Sequence, residues 1–262
     1  MTTERTHLAR IRAQFTKQWE VYARMRQTYD ERPLTGLVRL TGVQPGQRVL
    51  DVACGPGFLT RAFARAGADA TGLDATDAFL AFARAEAADE RLANVAFHAG
   101  DAEQLPFDDA AFDVVACRAA FHHFPHPERV LAEMRRVCRP GGRVLVADML
   151  GDDDRERAAL HDRIETLCDP THVRALPASE LERLFAAAGL KIIAAPTSTM
   201  DYDAEEWIAH GGPDAATRDE ILRLLAASIE GDRSGMQVRR EDGRLRFTHR
   251  TAAFVGAPMQ DV

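Results

Sequence analysis

The sequence predicts an α/β fold in which helices cover both faces of a mostly parallel sheet. From position 48 to position 150, apolar runs alternate with amphipathic runs of roughly 10–15 residues, which is typical of βαβ units. The apolar runs at 49–53 and 144–149 are nearly continuous, as expected for strands buried on both faces. The sequence has no repeat and no low-complexity linker, so we expect one compact unit.

The predicted elements follow one another in a regular order. Apolar side chains recur every three or four positions in residues 1–42, which predicts a helical segment before the turn at Pro45-Gly46. Beyond this turn, strands are predicted at 48–55, 68–74, 94–101, 112–119 and 142–150, and helices at 58–67, 76–90 and 127–142. The remaining elements are a loop at 168–177, a helix at 179–190, a strand at 191–200, a helical segment at 202–231 and a last strand at 244–257.

Composition restricts the class of protein. The 262 residues are 46% hydrophobic and carry a net charge of −7, which argues against a nucleic-acid partner held by a broad basic surface. The first residues lack the apolar core of a secretory signal, and no stretch approaches the ~20 apolar residues of a membrane helix. Four cysteines without CxxC spacing predict reduced thiols in a cytoplasmic protein: Cys54, Cys117, Cys138 and Cys168.

A glycine-rich loop follows the first predicted strand. In VLDVACGPGFLT, residues 49–60, Gly55 and Gly57 allow close backbone approach to a ligand at the start of a helix. The loop could bind a nicotinamide dinucleotide, but Thr60 occupies the place of the third glycine in GxGxxG. Asp51 at the strand end also suits a cationic, zwitterionic ligand better than a diphosphate.

Acidic residues end the next two predicted strands. Asp74 follows the glycines at a spacing close to the ~20 residues typical of a carboxylate that accepts ribose hydroxyl hydrogens. Asp101 ends the third strand, where it could accept a hydrogen bond from an adenine amino group or simply stabilise a turn. Together with the glycine loop, the two aspartates predict a nucleoside ligand.

These three motifs, in this order, resemble class I methyltransferases that depend on S-adenosylmethionine (SAM). The segment FDVVACRAAFHHFPHPERVLAEMRRVCRPGGRVLVADM is similar to the ubiquinone/menaquinone C-methyltransferase-like group of small-molecule enzymes. The resemblance is specific over about 48–150 and looser beyond. It implies a Rossmann-like, seven-stranded, mostly parallel sheet whose last strand, at 244–257, is antiparallel.

The resemblance also implies positions for the cofactor. The methionine part of SAM would lie near Asp51, Ala53, Gly55 and Gly57, the ribose near Asp74 and Ala75, the adenine near Asp101 and Ala102, and Arg118 beside the cofactor. The family usually has GCGxG, whereas this chain has Ala53-Cys54-Gly55 at the start of the loop. This departure has little effect on the backbone role of the loop.

Three histidines stand close together in CRAAFHHFPHPERV. His122 and His123 follow the fourth strand, and adjacent side chains diverge, so only one of them can readily face the site. A metal site is disfavoured because HHxxH lacks a nearby thiol or carboxylate, and we predict none. One ring could act as a base or orient the acceptor with Phe121 near it, or the pair could simply pack in a turn, while His126 is expected at the surface.

The loop at 168–177 and the N-terminal segment are further candidates. His172 could act in catalysis, and Arg174 could bind an anionic or oxygen-rich acceptor, unless the loop is only a solvent turn. Tyr22 could cover the cofactor, but the pattern favours an aromatic stripe packed on the core. We therefore predict a helical lid over 1–42 and a SAM-binding domain over 43–262, with an insert at 202–231 that either completes the acceptor pocket or mediates a homodimer.

The predicted function is transfer of a methyl group from SAM to a small organic acceptor by direct displacement, with carbon or oxygen favoured as the acceptor atom. Holding the acceptor in line with the methyl group supplies most of such catalysis, so no fixed catalytic signature is required. Two alternatives remain: an NAD(P)-binding oxidoreductase, and a protein that binds SAM without transferring its methyl group.

Overall fold

A nine-stranded sheet organises the part of the chain that this computed structural model describes, residues 2–24 and 30–259. The predicted lid over 1–42 includes residues 25–29, which lie outside the described residues. The strands are β1 (Arg48–Val52), β2 (Asp69–Asp74), β3 (Val95–Ala99), β4 (Phe112–Arg118), β5 (Cys138–Met149), β6 (Leu190–Ala194), β7 (Thr197–Asp203), β8 (Arg239–Glu241) and β9 (Arg244–Pro258).

The helices connect and cover these strands. They are α1 (Thr2–Arg24), α2 (Glu31–Thr41), α3 (Phe58–Arg65), α4 (Asp77–Asp89), α5 (Pro127–Val137), α6 (Arg155–Cys168), α7 (Ala178–Ala187), α8 (Ala204–Gly211) and α9 (Ala215–Ala227), with short 3₁₀ turns at Phe121–His123 and Glu230–Asp232. None of the helices described is long and apolar enough to span a lipid bilayer.

The strand order confirms the predicted fold class. The main path runs β3-β2-β1-β4-β5-β9-β6; β1 to β5 are parallel, and β9 is antiparallel to both β5 and β6. The sheet nevertheless has two more strands than the seven predicted. Because β9 extends beyond its partners, its first half pairs with β7 and β8 instead.

Two predicted element boundaries are wrong. The strand predicted at 191–200 is two strands, β6 and β7, with Pro196 between them; proline cannot donate a ladder hydrogen bond. The helix predicted at 127–142 ends at Val137, because Pro140 disfavours helix at the residue before it and Gly141 adopts a φ of +78°. Residues 138–142 instead begin β5.

Of the four buried apolar clusters among the described residues, the three largest hold these layers together. Two lie on opposite faces of the sheet, one around Phe121 and Phe254 and one around Phe63 and Leu145. The third lies between α6, α8, α9 and β9, and its members include Trp207. The predicted helical segment 202–231 therefore has a core of its own, although residues 202–203 belong to β7.

Helix α1 contacts both α4 and α8. Phe15 packs on Phe79 of α4 with ring centroids 5.6 Å apart, and the Gln18 side-chain amide donates to the Gly211 carbonyl at 2.8 Å. Trp19 packs on Phe82 at 5.8 Å. These contacts hold α1 above the loops that follow the first strands.

Candidate active site

A cavity of about 1030 Å³ opens at the carboxyl ends of the parallel strands, where ligands bind in open α/β sheets. It is bounded by loops after β1, β2, β3 and β4 and by one face of α1. Ten of the residues singled out in the sequence line this cavity: Tyr22, Asp51, Ala53, Gly55, Asp74, Ala75, Asp101, Ala102, Arg118 and His123.

The two loop glycines have different roles. Gly55 lines the cavity with a φ of +51°, and a Cβ there would meet no atom within 4 Å. Gly57, which is outside the lining, has a φ of +73°, and a Cβ there would come within 2.8 Å of Ala83 and of the Phe97 ring. Gly57 therefore allows the loop to pack against α4 and β3, and Gly55 leaves open space for a ligand.

Asp51 is a buried carboxylate at the end of β1. The Thr60 hydroxyl donates to its Oδ2 at 2.6 Å, so the residue that replaces the third glycine supports this carboxylate. Burial raises the pKa of Asp51 to about 7, although the Thr60 hydrogen bond and the charge of Arg118 oppose the rise. An unliganded Asp51 therefore titrates near neutral pH, and a cation in the cavity would favour its charged form.

The Asp74 carboxylate accepts hydrogen bonds from the loop after β1 and from the loop after β2. Its Oδ2 accepts from the Gly55 amide at 2.8 Å, and its Oδ1 accepts from the Thr76 amide at 2.8 Å. Burial raises its pKa, and these amides oppose the rise. Each carboxylate oxygen can accept a second hydrogen bond, which leaves capacity for two ligand hydroxyls.

Asp101 stabilises a turn at the edge of the cavity. It lines the cavity, and its Oδ1 accepts from the Glu103 amide at 3.0 Å within a local turn. The Thr76 hydroxyl, also at the cavity, is buried without a hydrogen bond to any residue described. Carboxylates, a free hydroxyl and an open backbone cradle fit a nucleoside ligand with ribose hydroxyls and an amino group.

Helix α1 forms the opposite wall. Tyr22 lines the cavity, and burial raises its pKa well above the ordinary value, with nearby carboxylates adding to the rise. Phe15 contacts the His123 ring edge to face at 5.3 Å, and the His7 Nε2–H donates to the His123 carbonyl at 2.9 Å. The N-terminal helix therefore closes over the end of β4.

Only one of the two adjacent histidines, His123, reaches the cavity lining, as the sequence predicted, but the two rings do not diverge. The His123 Nδ1–H donates to the Thr171 carbonyl at 3.1 Å, which leaves Nε2 as an acceptor. Burial, followed by the charge of His122, lowers the pKa of His123 to about 3, so the ring is neutral at physiological pH.

His122 forms a buried pair with Asp148 at the end of β5. The Nδ1 atom of His122 lies 2.7 Å from Asp148 Oδ1. Burial lowers the pKa of His122, but the Asp148 carboxylate more than offsets this effect and raises it overall. The His122 ring packs against that of His123 with centroids 4.1 Å apart and planes tilted by 48°, so the pair fixes the position of His123.

Three other predicted residues lie outside the cavity lining. His172 is buried, with its Nε2 2.9 Å from Asp162 Oδ1. Arg174 donates two hydrogen bonds to Glu180, at 2.7 and 2.6 Å. Phe121 is only 2% exposed and belongs to the core. The structure therefore does not bring these side chains to the cavity.

Sequence reasoning missed several residues of the site. Asp148 gave a signal, since it ends a predicted apolar strand just as Asp51 and Asp74 do. Thr60 was noted only as an absent glycine. The aromatic pair Phe15 and Phe79 gave no local signal, because its two members come from separate helices.

The strand order, the carboxylates on adjacent strand ends and the glycine loop together form the architecture of class I methyltransferases. A family model described as a methyltransferase domain matches residues 50–146. The uncharacterized methyltransferase YcgJ of Bacillus subtilis (strain 168) is 30% identical over 211 residues, 80% of this chain and 83% of that protein. The chain therefore belongs to the SAM-dependent methyltransferases with this domain.

Other similarities agree with this assignment. The crystal structure of the Bacillus subtilis YcgJ protein superposes with a TM-score of 0.81 at 27% identity, covering 87% of this chain and 99% of that one. The ubiquinone/menaquinone biosynthesis C-methyltransferase UbiE of Ectopseudomonas mendocina (strain ymp) is 44% identical over 42% of this chain and 45% of its own length. The ubiquinone biosynthesis O-methyltransferase of Acinetobacter baylyi is 32% identical over 52% of this chain and 59% of its own length.

Proposed function

We propose that this methyltransferase binds SAM in the cavity at the strand ends and methylates a small organic acceptor on carbon or oxygen. The observation that carries the proposal is the convergence of Asp51, Asp74 and Asp101, from the ends of β1, β2 and β3, on one cavity beside Gly55. Relatives named as a C-methyltransferase and an O-methyltransferase support these two acceptor atoms.

Residues of this chain would hold the cofactor by charge and hydrogen bonds. SAM supplies an electrophilic methyl group on a sulfonium centre. Asp51 would favour the cationic methionine portion, Asp74 would accept the ribose hydroxyl hydrogens, and Asp101 would lie beside the adenine. The low exposure of Asp51 and Asp74, 2% and 8%, strengthens these interactions because little water screens them.

His123 would orient the acceptor. Its neutral ring with a proton on Nδ1 leaves Nε2 to accept a hydrogen bond from an acceptor hydroxyl. A ring whose pKa is lowered to about 3 removes protons poorly, so positioning is the better-supported role. His122 and Asp148 would act through His123, whereas a substrate role for Arg174 requires its two bonds to Glu180 to break.

The acceptor is proposed to be a small molecule, and the protein to be cytoplasmic. A cavity of about 1030 Å³ is large enough for SAM and a modest organic acceptor together, but it is enclosed by α1 rather than open like a macromolecular groove. Whether the segment after β7 completes the acceptor pocket or joins two copies of the chain remains a prediction.

Methyl-labelled SAM incubated with a fractionated metabolite extract tests the proposal, with mass analysis of the labelled product. We expect one labelled small molecule, and its structure identifies the acceptor atom. Labelling of no fraction, together with SAM binding, would instead indicate a protein that binds SAM without using its methyl group.

A thermal-shift comparison distinguishes the proposed methyltransferase from an NAD(P)-binding oxidoreductase. Ligands that bind only the folded state raise the melting temperature, so SAM and S-adenosylhomocysteine should stabilise the protein and NAD(P) should not. Stabilisation by NAD(P) alone would refute methyl transfer.

A further inference from the structure

A second group of polar side chains is buried between α6 and β9, outside the cavity lining. His161 and Glu165 lie one helical turn apart on α6, and His249 comes from the part of β9 that extends beyond β5. Their exposed fractions are 4%, 6% and 3%. Side chains this polar are rarely buried unless a partner compensates the loss of water.

The three side chains point one atom each toward a common position. His249 Nε2 lies 2.9 Å from Glu165 Oε1, and His161 Nε2 lies 3.7 Å from the same oxygen. All three atoms are within 4.8 Å of one another. Ligands about 2.1 Å from one ion stand roughly 3–3.4 Å apart, so small side-chain adjustments would place these atoms around a metal.

Hydrogen bonding does not account for the cluster. Among the residues described, His161 Nε2, Glu165 Oε1 and His249 Nε2 are all buried without a hydrogen-bond partner. A nitrogen and an oxygen 2.9 Å apart that form no hydrogen bond are not directed at each other. The charge attraction between these groups offsets only part of their desolvation cost, and a cation between the three converging atoms would offset the rest.

Aromatic rings enclose the cluster on the β9 side. The centroids of Tyr202 and Phe247 lie 4.9 and 5.1 Å from that of His249, and Trp207 lies 6.3 Å away. An apolar wall of this kind limits solvent access to the three ligating atoms and strengthens their attraction for a cation.

We propose that His161, Glu165 and His249 form a binding site for a divalent first-row transition-metal ion. Two imidazoles with one carboxylate suit zinc or iron, whereas magnesium and calcium prefer oxygen ligands alone. One carboxylate leaves the protein site with a single negative charge when both rings are neutral. Three protein ligands leave at least one coordination position for water or for an oxygen of another molecule.

Such an ion would also join two parts of the fold. It would fasten α6 to β9, and the loop that leaves α6 carries the Thr171 carbonyl that accepts from His123 Nδ1. The site is separate from the cavity and does not depend on which acceptor is methylated.

Metal binding is measured on the full chain after chelator treatment and dialysis. We expect Zn²⁺ to bind in a one-to-one ratio by titration calorimetry and to raise the melting temperature, with no response to Mg²⁺. Cobalt should give the ligand-field absorption of a low-symmetry site with nitrogen ligands. Binding of Mg²⁺ as tight as that of Zn²⁺, or no binding of either ion, would overturn the proposal.

Variants locate the ion. Glu165→Gln keeps the side-chain shape and removes the charge, and His249→Gln removes one imidazole; each should weaken Zn²⁺ binding by about 100-fold or more. Glu156→Gln is the matched control, because Glu156 is an exposed carboxylate on the same helix. Zinc binding by either folded variant with unchanged affinity would place the ion elsewhere and refute the assignment.

A measurement on the unmodified chain covers the case in which neither variant folds. Copper loaded at one equivalent should show electron paramagnetic resonance couplings to two imidazole nitrogens. Couplings to none, to one or to more than two nitrogens would exclude this ligand set.

Discussion

The surface at the carboxyl ends of the strands has two halves, which differ in their buried polar side chains. In the carboxylate half, around the ends of β1 to β3, aspartates accept hydrogen bonds mainly from backbone amides and from the Thr60 hydroxyl. In the histidine half, around α6, the loop after it and β9, imidazoles are the main buried polar groups. Six of the nine histidines of the chain are buried there: His122, His123, His161, His172, His210 and His249.

The difference shows how each half is encoded. The carboxylate half depends on contacts that are short in sequence or that join neighbouring strands, such as Asp74 with Gly55. The histidine half depends on pairs far apart in the chain, such as His249 with Glu165 and His123 with Thr171. If the proposed function holds, the shared cofactor would constrain the first arrangement, whereas the second would be free to change with the acceptor.

The largest expected effect is in the carboxylate half. Asp74→Ala removes the carboxylate that holds Gly55 and Thr76, and it should weaken SAM binding by more than about 100-fold, measured by calorimetry. Asp69→Ala is the control, because Asp69 is exposed at the opposite end of the same strand. Equal SAM affinity in both variants would show that the cofactor does not bind at this strand end.

The second-largest effect is expected in the histidine half. His123→Ala should leave SAM affinity unchanged and lower kcat by about 100-fold, because an acceptor that loses its orienting partner seldom reaches the reactive geometry. Because the pKa of His123 is lowered to about 3, its titration should cause no inflection in the wild-type kcat profile between pH 5 and pH 8.

His126→Ala serves as the control for that variant, since His126 precedes α5 and is partly exposed. If His123→Ala lost SAM affinity by the same factor as kcat, His123 would contribute to cofactor binding and not to orientation of the acceptor.

The raised pKa of Asp51, in the carboxylate half, predicts that SAM affinity depends on pH. Its pKa is raised to about 7, so SAM affinity should fall by about tenfold for each pH unit below 7, as the carboxyl group becomes protonated. Asp51→Asn should bind weakly with a flat profile. An unchanged pH profile in Asp51→Asn would assign the titration to another group.

The buried Asp51 carboxyl also makes the stability of the unliganded protein depend on pH. Between about pH 4 and pH 7 the folded state holds a proton that the unfolded state has lost, so the free energy of unfolding falls as pH rises through this window. Without SAM, Asp51→Asn should therefore melt at a higher temperature than wild type at pH 8. A lower melting temperature at that pH would contradict the burial of this charge.

The smallest expected effect is at Thr60. Thr60→Val keeps the side-chain volume and removes the hydroxyl that donates to Asp51, so the pKa of Asp51 should rise further. We expect the midpoint of the SAM affinity profile to move to higher pH, with only a several-fold loss of affinity at pH 8. A midpoint that stays in place would mean that the hydroxyl does not stabilise the charged carboxylate.

Much of the fold and the carboxylate side of the cavity could be predicted because their signals are local. Strand periodicity, the loop glycines and the spacing of Asp74 lie within short stretches of sequence. Pro196 was a local signal for the division between β6 and β7, but the pairing of β7 with the first half of β9 could not be predicted, because it depends on how far β9 extends past β5. The separation of His122 from the cavity also could not, since it requires Asp148 from another strand.

The central position of β9 has a consequence for folding. Residues 244–258 pair with β5, β6, β7 and β8. Until β9 is in place, β5 is paired only with β4, and β6, β7 and β8 lack a partner among the strands described. Pairings between such distant parts of a chain form late, and open strand edges attract other chains in the meantime. During synthesis, the β5 edge is therefore exposed to pairing with other chains until β9 has been made.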